Sequence, residues 1–289
     1  MMLRRDVLGA GLSASVAASS ANAGSAQPVV RRRYAANRFG QAHVREAVGG
    51  RSGPPLLCFH QAPNSSQTFE PAMPDLARDR TVLAFDTPGY GMSDPAPDPQ
   101  TIASYADGLA DAIAELRLDR RGVDLLGYHT GAAIAASIAL GGRVRVRRIA
   151  LVAVPVFTPE ERARFGALTP IPFDEDGDWA REEWRRSWRW RGPGQTRESV
   201  LRTYGEKMRP GARERGAKAI AAFDMADALR RLDRPLMIVR PRDDLWDATA
   251  RAQAIRPDAV SLDLPDHGHG LWDAAPEALR TALRTFLAP

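Results

Sequence analysis

The stretch Gly127-Tyr128-His129-Thr130-Gly131 constrains this chain more than any other. An apolar run, Val123-Asp124-Leu125-Leu126, leads into it, and the small-residue run Gly131-Ala132-Ala133-Ile134-Ala135-Ala136-Ser137 leads out. That is the pattern of a buried strand turning sharply into a helix. Small residues two positions either side of the apex let the backbone bend tightly against its neighbours. In the related pattern Gly-x-Ser-x-Gly the apex carries a nucleophilic serine held out from the turn. Here the apex is His129, an imidazole where a hydroxyl is expected.

Around this turn, strand and helix patterns alternate. Residues 29–48 read as a strand pair turning at Asn37-Arg38-Phe39-Gly40. Residues 55–59 and 82–85 are short apolar runs, as in strands buried on both faces. Ile102, Tyr105, Leu109, Ile113 and Leu116 recur at helical spacing. Strands follow at 148–154, 236–239 and 260–264, with a closing helix at 276–287. Such alternation predicts an α/β protein whose mostly parallel sheet is covered by helices on both faces. Residues 157–222 break the pattern with charge-dense helical segments carrying Trp179, Trp184, Trp188 and Trp190, punctuated by Gly192-Pro193-Gly194. This segment is expected to form a helical cap over the carboxyl ends of the strands, where ligands of open α/β sheets bind. Its tryptophans either line a substrate cavity or glue the cap helices together.

At 289 residues and 44% hydrophobic content, the chain can bury one sizeable core beneath a cap. The net charge of +5 is carried by arginines spread from Arg31 to Arg284 among comparable numbers of acids. Without a basic face or a recognition motif, nucleic-acid binding is excluded as the expected role. Arg4-Arg5-Asp6-Val7-Leu8 and the small-residue triplet Ala21-Asn22-Ala23 read as a twin-arginine-like export signal over residues 1–23. A mature periplasmic or secreted protein with no membrane anchor is therefore expected. The single cysteine, Cys58, lies in an apolar strand and reads as inert core.

Four landmarks occur in order: Phe59-His60-Gln61-Ala62-Pro63, the segment Asp86-Thr87-Pro88-Gly89-Tyr90-Gly91-Met92-Ser93-Asp94-Pro95, the elbow at His129, and Gly268-His269-Gly270 followed by Pro276-Glu277. Together they make residues 30–289 resemble the α/β-hydrolase fold family, in its cap-containing form. The resemblance implies a core of residues 30–156 and 223–289 around a cap at 157–222. It implies that His269 is the catalytic histidine and Asp244 its acid, with Asp243 the neighbouring alternative. It also implies an oxyanion hole from the backbone N–H of Thr130 and that of Gln61 or Ala62. His60 would brace that loop, and Asp86 and Ser93 would hold the Gly89–Gly91 turn. His60, Tyr128, Trp246 and Trp272 are candidate substrate contacts, each with a packing role as the alternative.

His129 admits several chemistries. It is a nucleophile that forms an acyl-imidazole, or one of a pair of general bases with His269. Two imidazoles with Asp244 also resemble a metal ligand set, but the acid of such a site sits behind its histidine, so no metal is assigned. The expected function is cofactor-free hydrolysis of a small, largely apolar ester, lactone or carbon–carbon bond. A non-catalytic ligand-binding or sensor protein, and a lyase or cofactor-free oxygenase, stay open as alternatives.

Overall fold

The computed structural model describes residues 28–50, 53–118, 122–170 and 174–289. The export-signal reading of residues 1–23 lies outside them. Among the described residues the strands are β1 (Val30–Asn37), β2 (Gly40–Val48), β3 (Leu56–Phe59), β4 (Thr81–Phe85), β5 (Val123–Tyr128), β6 (Val146–Val152), β7 (Leu236–Pro241) and β8 (Val260–Leu264). They form one sheet in the order β1-β2-β4-β3-β5-β6-β7-β8. Strand β2 runs antiparallel to both its neighbours, and every other pair is parallel. This is the fold class that the alternating pattern and the resemblance led us to expect.

The core helices are α1 (Met73–Leu76), α2 (Ile102–Glu115) and α3 (Thr130–Leu140). The cap stretch holds α4 (Pro159–Gly166), α5 (Asp178–Arg189), α6 (Arg197–Lys207) and α7 (Ala212–Ala221). The chain returns through α8 (Met225–Arg231), and α9 (Trp246–Ile255), α10 (Leu271–Ala274) and α11 (Glu277–Phe286) complete it. Thr101 caps α2, accepting from the Ser104 N–H while its own N–H donates to Ser104 Oγ, so two of the orphan donors at that end are satisfied. The sheet has an apolar layer on each face: Leu109, Ile113 and Ile134 pack on one side, and Met73, Leu279 and Leu283 on the other.

All six residues of β5 are buried, including the acidic Asp124. Its carboxylate receives Arg80 Nη1 at 3.2 Å and Arg147 Nη2 at 2.6 Å. Both guanidiniums also donate to the Leu287 carbonyl, at 3.0 and 2.7 Å. The buried charge is thus compensated, and the central strand is tied to the end of the chain. Chain order reverses around β3, which has β4 on one side and β5 on the other. That switch point opens a crevice beyond the carboxyl ends of β3 and β5. The loops leaving those two strands carry Gln61, Ala62 and His129.

Candidate active site

His129 adopts φ 53° and ψ −118° between β5 and α3. A side chain at positive φ costs on the order of 1–3 kcal/mol unless the surroundings hold it there. Here the strand and helix hold it: the His129 N–H donates to the Val152 carbonyl at 3.0 Å, and the Ala132 N–H donates to the His129 carbonyl at 2.8 Å. The flanking glycines have no substitute. A Cβ on Gly127 would lie 2.4 Å from the Gly131 carbonyl oxygen, and one on Gly131 would lie 2.0 Å from that of Phe59. The turn therefore has the elbow geometry that its sequence predicts, with an imidazole at the apex.

Each of two imidazoles has a carboxylate of its own. His129 Nε2 lies 2.9 Å from Asp243 Oδ2, and His269 Nε2 lies 3.0 Å from Asp244 Oδ1. The ring centroids are 5.7 Å apart and tilted by 34°. A carboxylate only accepts, so each pair keeps a proton on Nε2, and Nδ1 is the basic nitrogen of a neutral ring. Asp243 is further fixed by the Leu245 N–H, which donates to its Oδ1 at 2.9 Å. Burial disfavours the charged form of His129, but the Asp243 carboxylate outweighs it and the ring's pKa is raised above the ordinary 6.5. Partial burial opposes ionisation of Asp244, which solvent still reaches, yet the bond from His269 and the nearby His129 hold its pKa below the carboxylate range.

The sequence pairs His269 with Asp244, and the structure brings these two together. It also brings in Asp243, whose partnership with His129 was missed. The acidic doublet after β7 was the available signal: adjacent residues leave the turn in different directions, so each serves a different ring. Two imidazoles and two carboxylates place one donor atom each within 4.8 Å of the others. That donor set suits a divalent transition ion. Such an ion would have to displace the two protons that now join the pairs.

A cavity of about 360 Å³ opens over His129 and runs beneath the cap. Gln61, Ala62 and Thr130 line it beside the elbow, as the oxyanion reading requires. The Ala62 N–H points to Thr130 Oγ1 at 3.4 Å, a long contact that a developing oxyanion could replace. Tyr128 and Trp272 form part of the wall. Tyr128 meets His129 edge-on at 4.5 Å and Trp272 at 6.0 Å. The Tyr128 hydroxyl is buried without a hydrogen-bond partner among the described residues.

Two of the candidate substrate contacts are corrected. His60 is 1% exposed and does not line the cavity. Its Nδ1–H donates to the Gln61 carbonyl at 2.8 Å and its Nε2 accepts from the Thr87 N–H at 2.9 Å. Burial pushes its pKa down, so the ring is a neutral brace for the oxyanion loop. Trp246 opens α9 on the face away from the cavity, with the Arg240 and Arg242 guanidiniums 4.0 and 5.1 Å from its ring. Of the other histidines, His43 bonds Asp86 at 2.9 Å far from the elbow, and His267 contributes its carbonyl to the Arg242 N–H. Asp86 accepts from the Met92 N–H and Ser93 Oγ donates to the Asp86 carbonyl, both at 2.8 Å, which holds the glycine turn.

The cap tryptophans divide between the two roles. Trp184 stacks on Trp188 at 5.9 Å and meets Tyr204 edge-on at 5.5 Å, joining α5 to α6. Trp190 reaches the cavity and meets the His269 ring at 5.9 Å. Behind it Gly192 is seated on the His269 backbone, where a Cβ would stand 1.9 Å from the carbonyl oxygen. Cap and core are further joined by Ser65, whose N–H donates to Glu206 at 3.0 Å, and by Arg202, which donates to Asp273 at 3.0 Å. Among the described residues, no helix is long and apolar enough to cross a membrane.

Known proteins resemble the chain in the same terms. Residues 52–282 match the model of the alpha/beta hydrolase family. A 2-(acetamidomethylene)succinate hydrolase of Mesorhizobium japonicum is 26% identical over 254 residues, covering 82% of this chain and 88% of that protein. An uncharacterized protein of Mycobacterium tuberculosis is 32% identical over 125 residues, a stretch that spans only 36% of its length. The crystal structure of an E-2-(acetamidomethylene)succinate hydrolase superposes with a TM-score of 0.71 at 25% identity, covering 90% of this chain and all of that one. An enol-lactonase from Burkholderia xenovorans shares the fold at a TM-score of 0.71 and 18% identity, covering 89% of this chain and 100% of its own.

Proposed function

The chain belongs to the alpha/beta hydrolase family, and within it we propose that this protein hydrolyses a small ester, lactone or activated carbon–carbon bond without a cofactor, using two histidine–aspartate pairs in place of a serine triad. The observation that carries the reading is that each imidazole on the cavity wall has its own carboxylate, at 2.9 and 3.0 Å. A binding protein needs neither pair. The hydrolase named among the relatives supports the same reaction class.

For an ester, neutral His129 takes a proton on Nδ1 from water as the water oxygen attacks the carbonyl carbon. The carbonyl oxygen gains the negative charge and is met by the backbone N–H groups of Thr130 and Ala62. Collapse of this intermediate breaks the bond to the leaving oxygen, which takes up that same proton as the His129 imidazolium gives it back by way of His269. Like charges on neighbouring rings disfavour double protonation, so a single proton passes from His129 to His269 and does not rest on both. Asp243 and Asp244 orient the rings and stabilise each imidazolium in turn. With the acid and the alcohol released, both rings are neutral again and the starting state is restored. We propose that the mature protein does this in the periplasm or outside the cell, on the twin-arginine-like reading of Arg4-Arg5.

A second reading follows from the φ of 53° at the apex, which presents a side chain as a nucleophile is presented. His129 Nδ1 would then form an acyl-imidazole with loss of the alcohol, and water activated by His269 and Asp244 would cleave it. Rapid-quench turnover of p-nitrophenyl esters separates the two. A burst of nitrophenol with an acyl mass on the His129 peptide supports the nucleophile; linear release without adduct supports the base. Absence of turnover on all esters and lactones, with ligand binding intact, would support a binding protein instead. Activity that disappears with chelator and returns with added zinc would transfer the site to metal chemistry.

A further inference from the structure

The cap closes the cavity with charge as well as apolar surface. Glu183 and Arg186 on α5, Lys207 at the end of α6 and Arg213 at the start of α7 all line it. Glu183 is buried and shared: Arg186 donates to it, and Lys207 Nζ lies 3.8 Å from its carboxylate while donating to Ser187 Oγ at 2.9 Å. Arg213 has no hydrogen bond, and no ion pair within 4.0 Å, among the described residues. Two carboxylates act on it, Glu183 and Glu214, and both line a second chamber of about 30 Å³ together with Arg213, Arg186 and Lys207. Of this group the main cavity meets three cations and one carboxylate, Glu183, while Glu214 lines only the small chamber.

The group holds three cations, Arg186, Lys207 and Arg213, against two carboxylates, Glu183 and Glu214. Burial, followed by the nearby Arg186, pushes the Arg213 pKa down, and burial does the same to Lys207. A half-buried guanidinium that two carboxylates approach without a hydrogen bond gains more from an arriving anion than an exposed one does. Its planar fork also matches the paired oxygens of carboxylate or phosphate.

We propose that Arg213, with Arg186 and Lys207, forms an anion-binding subsite, so that the molecule cleaved at His129 carries a carboxylate or phosphate group held under the cap. The placement of the scissile bond rests on the hydrolytic reading above; the anion site rests on the cap alone. The substrate would then be a small acid with an apolar middle, facing Phe165, Leu168 and Ile220 on the cavity wall.

Calorimetric titration of the full chain with glutarate, its neutral diamide and phenyl phosphate tests this without requiring turnover. The charged probes should bind saturably, and the diamide about tenfold or more weaker. A preference for glutarate assigns a carboxylate, and a preference for phenyl phosphate assigns a phosphate. R213Q should weaken the preferred probe about tenfold or more, with R213K recovering part of it. Should R213Q fail to fold, K207M is expected to weaken the same probe. Equal binding of glutarate, phenyl phosphate and the diamide, or unchanged affinity in the folded variants, would overturn the subsite. Ester turnover in an enzyme that binds no anion would overturn it while leaving the hydrolytic reading in place.

Discussion

His129 and Asp243 lie in the floor of the cavity with 12% and 0% of their side chains exposed, whereas His269 and Asp244 across from them keep 31% and 49%. The two pairs use the same groups at nearly the same hydrogen-bond distance. Their surroundings differ: Tyr128 and the β5–α3 turn screen the first from water, and solvent reaches the second. Coulomb attraction is stronger where water is excluded, so Asp243 raises the proton affinity of His129 despite its burial. One histidine is thus held rigidly with its counter-ion, while the other keeps a route for protons to and from solvent. The contrast suits a division between a base at the reacting carbon and a donor to the leaving group.

Loss of the apex ring should have the largest effect. His129→Ala is expected to lower kcat/KM on the order of 10³-fold, against about 10²-fold for His269→Ala. Steady-state kinetics on one ester decide it; equal losses would erase the distinction between floor and wall. Next in size, Asp243→Asn should cost about 10²-fold and Asp244→Asn about tenfold, because the screened carboxylate interacts more strongly with its ring.

The pH profile sharpens the same comparison. The active form has His129 neutral, so activity should rise with pH through a midpoint above 6.5, and Asp243→Asn should move that midpoint down. Folding stability should run the other way. A histidine whose pKa is raised on folding contributes stability that is complete below its unfolded pKa and lost as pH rises through the folded one. Thermal melts across neutral to alkaline pH should therefore fall in Tm, with a smaller fall in Asp243→Asn. The smallest effect is expected at Tyr128, whose hydroxyl is buried without a partner. Tyr128→Phe should leave stability within about 0.5 kcal/mol of the parent or raise it slightly, since the hydroxyl lost satisfies nothing.

Legibility from sequence follows how local the determinant is. The elbow could be read because two glycines and a buried strand act within ten residues of each other, and the contacts at Gly127 and Gly131 leave no alternative. The pairing of His269 with Asp244 could be read from spacing within the family pattern. Asp243 was harder: adjacent carboxylates differ only in the direction they leave a turn, which depends on the Leu245 N–H and the position of β7. Helix phase likewise separates Trp272, on the cavity wall, from Trp246, which lies beneath two arginines on the outside. The charges of α5, α6 and α7 look alike along the chain. Only the folded cap distinguishes those turned inward, such as Arg213, from those in solvent, such as Arg185.

The seating of Gly192 and Trp190 against His269 gives the two imidazoles covers of different origin. If the cap rises to admit or release a molecule, His269 loses part of its roof and is flooded. His129, walled by Tyr128 and its own turn, keeps its neighbours. Part of the cover over one imidazole is thus lent by the cap, while the other is covered by the strand and turn that carry it.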